Sequence, residues 1–292
     1  MPLYMPCDEQ WQGKDETGCA SMLLTSPNLE MLHSAEQKDL ETDFCNDLLM
    51  DFFELKNLGE DDVPYVLLPS GGPLLAFPIY PQISASYLCG PLTSAYKVML
   101  PPNGTIFFVR LRTGGMTWLV DQPAFSFANQ AVPMGKVLVD TMQLQNHLRS
   151  ISTFQQRCSA FLHYLERCGA DTFHIDPITK TCVDFICEHH GIGRVYEVAA
   201  VVDRSERFLG RVFRETVGMS VKKYFEIVRF KNSLYSLLIT RPRVLSDVVS
   251  QYGYYDLPHM NRAYRTFLGY TANEVRYLNI ENLYVPELFL WD

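Results

Sequence analysis

A chain of 292 residues, 47% of them hydrophobic and with mean hydropathy near zero, has the material for one large or two ordinary water-soluble domains. Its apolar runs, such as Ile106–Val109, are strand-length, which excludes a helix spanning a membrane. The net charge of −8 argues against nucleic acid until it is divided along the chain: residues 190–278 hold 14 Lys/Arg against 8 Asp/Glu, leaving 11 of the 25 basic and 25 of the 33 acidic residues elsewhere. A basic module on an acidic body confines any contact with a polyanion to that module.

Pro2, Pro6, Asp8 and Glu9 stand where a signal peptide needs basic and then apolar residues, so the expected location is the cytoplasm. The eight cysteines show no CxxC spacing and read as buried or free thiols rather than a disulfide framework.

Residues 1–30 mix Pro, Gly, Asp, Glu and Ser without a period and read as a loose arm. Between Ser34 and Asn57 a helical period places Leu40, Phe44, Leu48, Phe52 and Leu55 on one face, with Asp39, Glu41, Asp43, Asp47, Asp51 and Glu54 between them. The expectation is an acidic amphipathic helix, packed on its own domain or offered to a partner. Residues 63–137 alternate short β-branched and aromatic runs with turn signals: Tyr65–Leu68, Leu74–Tyr80, Ile83–Cys89, Ala95–Leu100, Thr105–Arg112 and Met116–Val120. Such spacing predicts an antiparallel sandwich or small barrel. Arg110 and Arg112 alternate with Val109 and Leu111 and predict one wet face. Two amphipathic helices follow, over 138–148 and 154–168, the second capped by Ser152-Thr153 and ended at Gly169.

The remaining hundred residues are helical, with small N-caps and glycine stops at most junctions. Helices are predicted from Asp176-Pro177 to about His190, over Val195–Val202, from the Ser205 cap to Gly218, and from the Ser220 cap through Ile239 to Pro242. Three more cover Leu245–Tyr252, Asp256 to Gly269, and Thr271 to Arg276. Within this region one segment is written twice. A shift of 51 positions carries Arg211 onto Arg262, Phe213 onto Tyr264, Arg214 onto Arg265 and Gly218 onto Gly269. Two copies of one helix-turn-helix unit explain the repeat. The first would expose Ser205, Glu206, Arg207, Gly210, Arg211 and Arg214 to DNA; the second, Leu257, Pro258, Asn261, Arg262 and Arg265. Arg grips guanine O6 and N7, Glu accepts from cytosine N4, Asn pairs with adenine, and Gly210 permits close approach. Leu257 and Pro258 reach only thymine methyls or groove shape, so the first copy is the better base reader.

These residues resemble the AraC/XylS family of bacterial transcription regulators. The resemblance rests on Ala199, Ser205, Leu209–Phe213, Gly218–Ser220, Tyr224 and Arg229, then on Asp247–Tyr254, Asp256, Arg262, Tyr264-Arg265, Gly269–Thr271 and Val275-Arg276. It implies an N-terminal regulatory half, often a cupin-like barrel that binds a small effector and helps dimerisation.

Enzyme chemistry finds no support in these motifs. None of the seven histidines lies in 63–137, whose only acidic residue is Asp121, and adjacent His189 and His190 would point about 100° apart on a helix. No metal or cofactor is expected. The expected fold is α+β: an arm and acidic helix (1–62), a barrel-like regulatory domain with two closing or dimerisation helices (63–170), a double helix-turn-helix domain of seven helices (171–280) and an apolar tail (281–292). The expected function is an effector-sensing or dimerising regulator, with Phe77, Tyr80, Tyr87, Phe107 and Trp118 as candidate ligand-binding residues. The alternative is a regulator without a small ligand, controlled by a protein partner. Expected partners are double-stranded DNA, a small effector, a second copy of the chain and, for an activator, RNA polymerase; no membrane contact is expected.

Overall fold

The computed structural model describes residues 29–33, 47–80, 85–138 and 141–276. Their architecture is α+β, with an antiparallel sheet in the N-terminal half and helices in the C-terminal half. The main sheet has the order β1 (Leu29–His33), β2 (Leu49–Asn57), β7 (Thr105–Leu111), β4 (Leu74–Pro78), β5 (Tyr87–Cys89) and β8 (Ala131–Pro133). A separate ribbon pairs β3 (Val63–Leu67) with β6 (Tyr96–Leu100). The sheet ends in edge strands β1 and β8, so the expected barrel is not closed.

Both faces of the central strands of the main sheet are dry. On one, Phe52, Phe77 and Phe107 pack with Phe154 and Phe161. Those last two lie on α3 (Phe154–Arg167), which pairs with α2 (Thr141–Ser150). On the other face, Phe53, Leu55 and Phe108 meet Tyr65, Leu67, Val98 and Leu100 of the ribbon. The ribbon's outer side places Val66 and Leu68, with nearby Ala95, in the core of the C-terminal helices. Helix pair, sheet, ribbon and C-terminal helices therefore stack in sequence, and burial of each large aromatic contributes about 1.5–3 kcal/mol.

Three expectations are corrected here. The acidic helix over 34–57 is β2 from Leu49 onward; its remainder, 34–46, falls outside the described residues. Leu48, Phe52 and Leu55 fit a helical stripe, but β1 and the apolar strand β7 pair with β2 along its two edges, and tertiary pairing outweighs the local pattern. Asp51 and Glu54 consequently lie inside, one on each face. Asp51 forms a bidentate ion pair with Arg110, with Nε to Oδ1 at 2.9 Å. Glu54 accepts from Arg157 Nη1 at 2.6 Å, and Arg157 also donates to the carbonyls of Leu148 and Ile151. The wet face expected at Arg110 is absent for the same reason: its charge is matched inside, and the residue is 3% exposed.

The second correction concerns Leu29 and Glu30, the end of the expected loose arm, which begin a strand, Leu29–His33, that extends the sheet antiparallel to β2. The third concerns Met116–Val120, expected as a strand. Gly114 has φ +96°, which turns the chain out of β7, and Met116–Leu119 forms a short helix, α1. Met116 and Leu119, three residues apart, then both reach the core. No helix among the described residues is long and apolar enough to cross a membrane.

Candidate nucleic-acid interface

The C-terminal helices are α4 (Pro177–Glu188), α5 (Val195–Val201), α6 (Glu206–Val217), α7 (Val221–Tyr235), α8 (Leu245–Gln251), α9 (Leu257–Leu268) and α10 (Ala272–Arg276). Four of them, α4, α6, α7 and α9, start at side chains that accept from orphan N–H groups: Asp176 from Thr179, Ser205 from Phe208, Ser220 from Lys223 and Asp256 from His259. Gly218 and Gly269 end α6 and α9 with φ of +82° and +83°. The long helix expected through Ile239 is α-helical only to Tyr235. Ser236–Thr240 is a π-helical turn, closed by Arg241 N–H to the Ser236 carbonyl at 3.1 Å and by Thr240 Oγ1 to the same carbonyl at 2.8 Å. Pro242 disfavours a helical residue before it, and Arg241 turns left-handed at φ 46°.

Two helix pairs present the repeated segments: α5 packs on α6, and α8 on α9. On α6, Leu209, Phe213 and Val217 are buried, while Ser205, Glu206, Arg207, Arg211 and Arg214 are exposed and Gly210 half-buried. On α9, Met260, Tyr264, Phe267 and Leu268 are buried; Leu257, Pro258, Arg262 and Arg265 are exposed and Asn261 half-buried. A Cβ built on Gly210 meets nothing within 4 Å, so no contact inside the chain requires glycine there. Three candidate residues already have work within the fold. Ser205 is the α6 cap. Asn261 Oδ1 accepts from the N–H of Ala272 at 3.0 Å and so anchors α10. Arg214 lies 4.6 Å over the ring of Phe125, which belongs to a 3-10 turn of the N-terminal half, Ala124–Phe127.

What holds the two units at a fixed relation is Arg229 of α7. Its Nε and Nη2 donate to the Gly191 carbonyl at 3.1 and 3.0 Å, and its Nη1 to the Gly253 carbonyl at 3.3 Å. Gly191 follows α4 and Gly253 is the turn between α8 and α9, so one guanidinium clamps both units to their connecting helix. Deeper in the same helix, Ser233 Oγ meets the hydroxyls of Tyr254 and Tyr264 at 3.2 and 3.0 Å. Burial pushes the Tyr254 hydroxyl up to about 12 and Tyr264 well above its ordinary value, so both keep the protons this cluster needs.

The N-terminal half touches both units. Tyr224 of α7 meets Thr113 Oγ1 at 3.2 Å and Cys187 Sγ at 3.8 Å, and a Cβ on Gly71 would fall 2.7 Å from its ring. The Ala95 N–H donates to the Phe267 carbonyl of α9 at 2.9 Å. Both α1 and the 3-10 turn containing Phe125 pack on α6.

The candidate ligand residues do not converge. Phe77 and Phe107 are fully buried in the helix-side core, their rings 6.3 Å apart and packed against Phe161 and Phe52 respectively. Tyr80 and Tyr87 pack on the ribbon side. Trp118 alone lines a cleft, between α1, α2 and α3. Sequence reasoning passed over Phe125 and Tyr255. Tyr255 is 91% exposed, one residue before the α9 cap; a large aromatic in a turn beside a recognition helix is the signal that marks it.

Residues 198–277 match the helix-turn-helix domain family. The Msm operon regulatory protein of Streptococcus mutans is 26% identical over 84 residues, which are 28% of this chain and 30% of that protein. The chain thus spans about a third of the length of the relative it matches. Among solved structures, ToxT from Vibrio cholerae O395 is similar at 10% identity, covering 86% of this chain and 98% of that one with a TM-score of 0.39. A second ToxT structure gives 9% identity, the same coverage and a TM-score of 0.41.

Proposed function

We propose, for a chain whose C-terminal module is a helix-turn-helix domain of the AraC/XylS type, that the whole molecule is a sequence-specific transcription regulator whose N-terminal half controls its hold on DNA. One observation carries the reading: two amphipathic helices expose arginines at repeated positions and are clamped into one body by Arg229. In this reading α6 lies in the major groove, with Arg207 and Arg211 on guanine edges, Glu206 accepting from cytosine, and Gly210 admitting the backbone close to the duplex. Helix α9 enters the next groove and positions more than it reads, with Arg262 and Arg265 on phosphates and Leu257 and Pro258 against thymine methyls. Asn261 is held at α10 through one lone pair of Oδ1, which leaves its amide N–H groups and the second lone pair for a base. Tyr255 adds a phosphate or sugar contact at the mouth of that groove. The fifteen residues of α7 extend about 22 Å, and the π-turn lengthens the spacer toward the repeat of one DNA turn, about 34 Å.

Regulation by the N-terminal half is supported by its direct seams with α6, α7 and α9. The partner that works those seams is a small effector, with a second copy of the chain and, for an activator, RNA polymerase as further partners. Selection of bound genomic fragments tests the DNA reading. The intact chain should enrich one motif, and Arg207→Ala or Arg211→Ala should lose preference at one position of it. Enrichment of no motif, or of an unchanged motif by both variants, would remove α6 as the reader.

A further inference from the structure

The cleft that holds Trp118 has a volume of about 670 Å³ and is walled by α1, α2 and α3. That lies within the roughly 300–1,000 Å³ typical of small-molecule sites. Leu144 supplies an apolar floor, Trp118 and Tyr164 supply aromatic walls, and His147, His163 and Arg167 stand exposed at the rim. No Asp or Glu lines it; the nearest carboxylate in contact is Glu166, which lies 3.5 Å from His163 Nδ1. On a chain of net charge −8, a concave surface lined by one arginine, two imidazoles and aromatic walls, with no acid, favours anions locally.

The same wall reaches the DNA-binding helices. Helix α1 carries Trp118 into the cleft and packs on α6, and the 3-10 turn that follows it places Phe125 against Arg214. At its start, Thr113 and Gly114 contact Tyr224, Ile175 and Thr179 of the C-terminal half. The segment 113–127 is therefore a single short piece of chain with one side in the cleft and the other against the first recognition helix.

We infer that this cleft is the effector site, that it takes a small anion with an aromatic or compact apolar body, such as an aryl carboxylate or aryl phosphate, and that α1 passes occupancy on to α6. The inference rests on the regulator reading above for its output but not for its binding step. Anion and ring are recognised separately, the charge by Arg167 with His147 and His163, the ring by Trp118 and Tyr164.

The test uses the full chain and calorimetric titration with benzoate, 3-phenylpropionate and phenyl phosphate, with 3-phenylpropanamide as the uncharged control. At least one anion should bind saturably, one per chain, at least tenfold tighter than the amide. Arg167→Gln and Trp118→Ala should each weaken it at least tenfold while melting within a few degrees of the parent. The bound probe should change affinity for a selected DNA fragment by about fivefold or more, the low end of ordinary coupling between sites. No saturable binding of any of the three anions at millimolar concentration, equal binding of the amide, or full binding by Arg167→Gln overturns the assignment. So does a stable dimer that loses its second copy in Met142→Glu/His147→Glu and binds no probe, since the cleft is then a subunit interface. Binding with DNA affinity unchanged overturns the passage through α1. DNA binding measured without any probe reports on the regulator reading separately.

Discussion

Gly210 costs its helix stability and gains nothing from the neighbours around it. A glycine inside a helix is about 0.5–1 kcal/mol worse than alanine, and here a methyl group meets open space. Gly210→Ala should therefore raise the folded chain's stability by about that amount in urea titration while weakening DNA binding; tighter or unchanged binding would mean the duplex does not approach α6 closely. Arg207→Ala and Arg211→Ala should leave stability within about 0.5 kcal/mol, as exposed sites do. Each should lose roughly 1–3 kcal/mol of discrimination at one base pair. Asn261→Ala should act differently, lowering the melting temperature because the Ala272 N–H loses its acceptor, at a cost of about 1–3 kcal/mol. Exposure and chemistry of the α6 residues were legible from helical period and charge. The second duty of Asn261, reaching eleven residues ahead, was not, because only the folded corner between α9 and α10 brings those groups together.

At the scale of elements, β2 shows how a side-chain pattern can fit two structures. Its acids look like a solvated helical face and are buried charges, each held by one arginine. Burial pushes the Glu54 carboxyl upward, and Arg157, through its charge and its hydrogen bond, pulls it back. Removing the arginine leaves the burial and not the pull. Arg157→Met should cost about 3–5 kcal/mol by denaturant melting, and Glu54→Leu in the same chain should recover most of it. The sign with pH follows from a carboxyl whose folded pKa lies above its unfolded value. Its contribution is present below the unfolded pKa and lost as pH rises through the folded one, so the Arg157→Met deficit should shrink between pH 8 and pH 5 relative to the parent. An equal deficit at both pH values would mean Glu54 stays ionised without its partner. Turn signals located β3 to β7 to within a few residues, because strand ends are local chemistry. Helix α1 was missed because its four residues carry no period long enough to register, and only the left-handed Gly114 before it redirects the chain.

For the whole molecule the decisive feature is that one apolar core belongs to both halves. Val66, Leu68 and Ala95 are buried among the C-terminal helices, and the Ala95–Phe267 backbone bond continues that seam. Scanning calorimetry should accordingly show one cooperative transition for the full chain, and two separated transitions would mean the halves are only tethered. Gly71→Val should weaken the seam, since the added atoms meet the Tyr224 ring and Thr113. Loss of cooperativity there, with the DNA motif unchanged, would place Gly71 in coupling rather than in reading.

The sequence by itself determined the helices of the C-terminal module, their caps, the repeat and the division of charge, because each is written in residues within a few turns of one another. It also determined which α6 side chains face solvent, though not that Arg214 would stack on Phe125. Tertiary structure decided what distant segments do: that an acidic stripe becomes an interior strand, that the sheet stays open, that five candidate aromatics separate into two cores and one cleft. It also decided that α6 and α9 are gripped by the N-terminal half. Those outcomes depend on which faces bury each other, and burial is a property of pairs of elements that no local pattern contains.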